Sequence, residues 1–202
     1  MKRINLLFPA LLLLAVACKH KPRQPAGDVQ ATQDSLNSST YLPITDLIKN
    51  DIVRVDTYAG GILKKMNTAG RKDSAYIQPA EFHQLASQFL LTELDSASFH
   101  DRFTEHSLMD ETTEMLNFIY SAKAPESSLR NVMVFLQPTL ATDQVKRIYM
   151  ERSFNSGDTT IEQKLTWKMM EYFYVITIRQ PKNGPAVTSM EKVIWDPQDF
   201  AD

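Results

Sequence analysis

The chain has 202 residues, 43% of them hydrophobic and 23% charged, with 22 Lys and Arg against 24 Asp and Glu and a formal net charge of −2. That balance carries no electrostatic footprint for nucleic acid, and the length beyond the first forty residues suits one domain. A single Cys means that no disulfide within the chain staples the fold, so a packed core must hold it.

In chain order, Lys2 and Arg3 precede an apolar run from Ile4 to Val16. At 1.5 Å per residue the run is too short to cross roughly 30 Å of hydrocarbon, so it reads as the h-region of a secretion signal. The small residues Ala15, Val16 and Ala17 stand directly before Cys18. A Cys in that place resembles the lipobox of bacterial lipoproteins, although the Leu usual three residues earlier is Ala15 here. The resemblance implies that residues 1–17 are a lipoprotein signal peptide and that the Cys18 thiol is diacylated and becomes the membrane anchor. Two acyl chains suffice for stable anchoring where one does not. Removal of the signal takes away Lys2 and Arg3 and no acid, leaving 20 bases against 24 acids, a balance of −4.

From Lys19 to Thr40 there is no aromatic residue, and Val29 and Leu36 are the only larger aliphatics. Such a stretch cannot bury enough apolar surface to offset its ordering entropy. Residues 18–40 are therefore expected to be a lipidated, flexible tether spanning roughly 25 Å as a random coil. Residues 41–202 form the expected globular domain.

The spacing of Ile44, Leu47, Ile48, Ile52 and Val55 predicts a helix that starts near Pro43 and stops at Gly60-Gly61. A short hairpin turning at Asn67 to Gly70 follows, then a helix through Phe82, Leu85, Ala86, Phe89 and Leu90, then a short third helix in "DSASFHDRF". After Glu111 the period changes from 3.6 to 2. "TTEMLNFIYSA", "RNVMVFLQ", "QVKRIYMERSF", "TTIEQKLTW", "YFYVITIRQ" and "TSMEKVIWD" predict strands separated by turn signals. The expected fold is α+β: N-terminal helices with a short hairpin, packed on one face of a C-terminal antiparallel meander sheet of about five or six strands.

The densest polar cluster is "FHDRFTEHSLMDE", residues 99–111. On a helix Asp101 and Glu105, and His106 and Asp110, would share faces at i,i+4, which makes these four the candidate ligands for a metal-assisted hydrolase. His100 and His106 stand about 240° apart around such a helix and cannot chelate one ion, and Arg102 lies among the acids. A solvated face with i,i+4 pairs is the preferred reading, with no metal and no cofactor expected. No G-x-S-x-G, phosphate-loop or dinucleotide pattern occurs, and His83 borders an apolar stretch, so the chain reads as not an enzyme. Aromatic residues on the predicted strands are expected mainly in the core, with Trp167, Tyr172, Tyr174 and Trp195 as a possible contact surface.

"YLPITDLIKNDIVRVDT", "VKRIYMER" and "LTWKMMEYFYVITI" resemble a family of small lipoproteins from Bacteroidetes-type bacteria with no assigned activity. In many surface lipoproteins of those bacteria an acidic run follows the lipidated Cys. Here Lys19, His20 and Lys21 follow, implying an anchor in the cell envelope, in the outer membrane facing the periplasm. The expected function is a membrane-tethered, non-catalytic binding or assembly module, with an envelope protein as partner besides the membrane and no nucleic acid. The alternative is carriage of an acyl chain or other apolar ligand in a curved sheet.

Overall fold

The computed structural model describes residues 42–57, 60–94, 96–139, 144–196 and 198. The lipobox-like segment, Cys18 and the expected tether lie outside them. Residues Tyr41–Asp202 make up one compact unit. Helix α1 (Ile44–Thr57) is followed by the hairpin β1 (Ile62–Thr68) and β2 (Arg71–Ile77), then helix α2 (Pro79–Ala86), two 3-10 turns (Ser87–Phe89 and Thr92–Leu94) and helix α3 (Ser96–Arg102). Seven strands complete the chain: β3 (Phe103–Asp110), β4 (Met115–Ala122), β5 (Leu129–Gln137), β6 (Gln144–Ser156), β7 (Thr159–Lys168), β8 (Tyr172–Pro181) and β9 (Val187–Ile194).

The nine strands form one antiparallel sheet in the order β2-β1-β9-β8-β7-β6-β5-β4-β3, open at β2 and β3. The α+β class is as expected, but the strand count exceeds five or six for two reasons. The early hairpin does not pack apart from the meander. Instead β1 pairs with β9, Leu63 opposite Ile194 and Asn67 opposite Met190, and extends the sheet in its own plane. Residues 103–110, expected to continue a helix, form edge strand β3, paired with β4 from Phe103 opposite Ala122 to Asp110 opposite Met115. Their pairing is closed locally: the Asp110 carboxylate accepts the N–H groups of Thr112 (2.9 Å) and Thr113 (3.3 Å), and Glu114 takes a positive φ. An Asp binding its own backbone two and three residues on is a turn device, and it competes successfully with helix.

Turn chemistry sets the other registers. Thr68 and Arg71 face each other across Ala69 and Gly70, which have φ of 49° and 84°. Two central residues at positive φ mark the primed hairpin turn whose twist matches that of the strands. Strands β7 and β8 are joined through Met169, Met170 and Glu171, with Met170 at φ 69°.

Alternation along each strand divides the sheet into two faces. One carries Tyr120, Val132, Val134, Ile148, Met150, Leu165, Trp167, Phe173, Val175 and Val193, all buried against Ile44, Ile48 and Ile52 of α1, Phe82 of α2, and Phe89, Leu94 and Phe99. The helices thus cover one face of the sheet. Its centre is aromatic: Trp167 stacks on Phe173 (5.1 Å between ring centres), Phe89 meets Trp167 edge-on (5.1 Å), and Phe82 meets Trp195 edge-on (5.6 Å). A second group, Phe99 with Phe103 at 4.5 Å and Tyr120 at 4.9 Å, fastens α3 to the β3–β4 end.

Candidate functional site

The face of the sheet opposite the helices is built from cross-strand register. Ser74 of β2, Lys65, Lys192, Tyr174, Thr166 and Tyr149 follow one another across β1, β9, β8, β7 and β6, and the row continues through Met133 and Ile119 to His106. The row on one side runs through Tyr172, Lys168, Arg147 and Phe135. The row on the other runs from Lys72 through Asn67, Met190, Ile176 and Lys164 to Glu151. Across the three rows the positive residues are Lys65, Lys72, Arg147, Lys164, Lys168 and Lys192, and the only acid is Glu151. The whole chain carries a formal charge of −2, so the excess of cations belongs to this face and not to the composition.

That acid is engaged locally. The Tyr149 hydroxyl donates to Glu151 at 2.6 Å and the Asn131 amide donates at 3.0 Å. These bonds, Tyr149's first, hold the Glu151 carboxyl below its ordinary value, while burial and the same carboxylate push the Tyr149 hydroxyl well above its own. The pair therefore stays as carboxylate and neutral phenol at every physiological pH.

The cations are interleaved with rings. Tyr172 and Tyr174 lie in line with their ring centres 6.2 Å apart. The Lys192 ammonium sits 4.2 Å from the Tyr172 ring centre and the Lys168 ammonium 5.4 Å, while Arg147 lies 4.0 Å over Phe135. Cation–ring contact holds Lys192 and Arg147 over the sheet without neutralising them, whereas Lys168 is also ion-paired with Glu171 in the β7–β8 connection. Lys65, Tyr172, Tyr174, Met190 and Lys192 line an open depression of about 310 Å³. A second depression of about 580 Å³, lined in part by Lys72, Asn67, Ser74 and the acid Asp73, shares Lys65 and Met190 with it. Beneath the tyrosines Thr166, 2% exposed and in register between Tyr149 and Tyr174, keeps a hydroxyl without a partner.

Of the four aromatics expected at a contact surface, Tyr172 and Tyr174 reach this face half-buried. Trp167 (0% exposed) and Trp195 (3%) lie in the core under the helices. The four candidate metal ligands are not gathered. Asp101 ends on α3; Glu105 and His106 are neighbours on a strand and point to opposite faces; Asp110 is four residues along from His106, about 13 Å at roughly 3.3 Å per residue, and caps its own turn. Among the described residues no group of three or more His, Cys, Asp or Glu could hold a metal ion. His83 borders Phe82, as expected, and its Nε2 lies 2.7 Å from the Asp56 carboxylate on the exposed side of α1.

One polar group escaped the sequence reading. Asp51, 1% exposed, stands within the apolar stripe of α1, and its Oδ2 accepts both the Trp167 indole N–H at 2.7 Å and the Met170 backbone N–H at 2.9 Å. Burial pushes its carboxyl above the usual range, against the two hydrogen bonds and nearby Arg54. Its partners are a core ring and a turn, so it ties helix to sheet. Its signal in the sequence is an acid inside the stripe of Ile48, Ile52 and Val55.

Among the described residues no helix is long and apolar enough to cross a membrane. No protein-family model, curated protein or solved structure matches the chain.

Proposed function

We propose that this protein is a non-catalytic binding module, held at the cell envelope by lipid on Cys18, that meets an anionic component of the envelope through the sheet face opposite its helices. The observation that carries the reading is the charge of that face: six cations and one internally bonded acid across three registered rows, around the Tyr172–Tyr174 pair. A predominantly positive surface on a chain of slightly opposite net charge recognises and orients a complementary partner, even with Glu151 and Glu162 beside Lys164 at its edge. Tyrosine adds amphipathic contact area at low conformational cost. Carriage of an apolar ligand between helices and sheet is less well supported, because Trp167, Phe173, Phe82 and Phe89 fill that space.

The placement at the envelope rests on the lipobox-like segment before Cys18. Two labelling experiments test the reading. Cells fed tagged palmitate should label the chain, and Cys18→Ser should abolish both the label and its recovery with membranes. A photoreactive phenylalanine analogue placed at Tyr174 should give a discrete adduct in intact envelopes, whereas the same probe at Val53, 60% exposed on α1, should not. Equal adducts from the two sites, or none from either, would defeat the assignment of the face.

A further inference from the structure

We infer that the anionic component met by this face is the phosphate-bearing surface of a lipid bilayer, an inference that rests on the binding-module reading above. The cations are spread and not convergent. From Lys72 on β2 to Arg147 on β6 the patch crosses five inter-strand steps, about 24 Å at roughly 4.8 Å each. A patch of that breadth matches a plane of headgroups. A peptide strand would call for charges along one line, and a small anion for charges aimed at one point. Five of the six are lysines, whose flexible stems let ammonium groups reach phosphates at uneven depth.

The other side chains of the face fit the same surface. Tyr172, Tyr174 and Tyr76, the last 69% exposed, present an apolar body and a polar tip, as side chains at a membrane interface do. Toward β3–β5 two of the rows carry apolar side chains, Met133 and Ile119 before His106 and Phe135 and Leu108 on either side of Asn117, while the row beyond Glu151 stays polar through Asn131, Ser121 and Thr104; Leu108 is 47% exposed. Those apolar side chains are suited to the boundary between headgroups and acyl chains, next to the part of the face that meets phosphate. A chain tethered at Cys18 presents such a face to lipid at high effective concentration, so modest intrinsic affinity is enough.

Each cation near an anionic surface strengthens partition roughly five-fold, so removing three weakens it roughly a hundred-fold. The test uses the chain from residue 18 onward with Cys18→Ser, which retains every residue of the core between Ile44 and Trp195. It is sedimented with vesicles of phosphatidylcholine alone or mixed with phosphatidylglycerol. Binding to the mixed vesicles, release by salt and no binding to the neutral ones are expected. Lys65→Gln, Lys164→Gln and Lys192→Gln together should weaken partition roughly a hundred-fold with an unchanged unfolding midpoint, while Lys49→Gln with Lys182→Gln should leave it as it was. Equal binding to both vesicle types, or a triple variant that binds as the parent does, overturns the inference.

A polyglutamate peptide followed by NMR separates this inference from the reading beneath it. Absence of vesicle binding with peptide-induced shifts at Tyr174 and Lys192 overturns the bilayer and leaves an anion-binding module. Absence of both overturns the two together.

Discussion

Replacing Asp51 tests how the helix layer is fastened to the sheet. The side chain is 1% exposed, and its Oδ2 is the acceptor for Trp167 Nε1 at 2.7 Å and Met170 N at 2.9 Å. In Asp51→Ala the indole N–H, on a residue with no exposed surface, loses its acceptor, which costs about 1–3 kcal/mol. The Met170 N–H loses a charged acceptor as well, and a small void replaces the carboxylate. Against this, the variant no longer buries an ionised group whose Oδ1 has no partner, so the net loss should be about 2–3 kcal/mol. For a domain of this size that lowers the melting temperature by roughly 5–10 °C. Asp51→Asn keeps one oxygen for the two donors but sets an amide N–H where Oδ1 stands, and about 1 kcal/mol should be lost.

The pH dependence of the same side chain has a definite sign. The folded-state pKa of Asp51 is raised above the 3.8 of a free carboxyl, so in the window between the two values the native state binds the proton that the unfolded state has released. Stability contributed by Asp51 is therefore fully present below 3.8 and declines as pH rises through the raised value. Urea unfolding from pH 7 down to about 4 should show the parent gaining stability relative to Asp51→Asn. A loss below about 0.5 kcal/mol in Asp51→Ala, or parallel pH profiles for parent and Asn variant, would refute the reasoning.

Two further substitutions probe the sheet. Thr166→Val removes a buried hydroxyl without a partner and keeps the shape of the side chain, so chemical denaturation should show a gain of about 1 kcal/mol; a loss would mean that the hydroxyl has a partner in solution. Ala69→Asn gives the β1–β2 turn a residue that tolerates positive φ ahead of Gly70, and should raise stability by about 0.5–1 kcal/mol. If stability does not change on that substitution, the turn is not of the primed kind.

Patterns confined to one element were legible in the sequence. The apolar stripe of α1, the hairpin turn at Gly70 and the six strands after Glu111 follow from periodicity and turn residues, and all are present. Alternation also places Trp167 with Leu165 on the inward face, so its burial could be read from the strand alone. Features that depend on partners distant in sequence could not. "FTEHSLMD" has little apolar alternation because β3 is an edge strand, exposed along almost its whole length, and only pairing with β4 makes it a strand. Asp51 looks like a stray polar residue until the Trp167 indole, 116 residues later, is brought to it. The basic face is the clearest case. Each contributing strand carries only one or two cations on this side, and the patch exists only because antiparallel register aligns Lys65 with Lys192 and Lys168 with Arg147.

Under the proposed function this face, and not the helix layer, makes the protein's contacts in the envelope. Amine-reactive footprinting of intact envelopes against the purified chain measures it residue by residue. Lys65, Lys164, Lys168 and Lys192 should be protected in the envelope, and exposed Lys49 and Lys182 should react equally in both. Uniform reactivity of all six, or protection centred on Lys49 of α1, would contradict it.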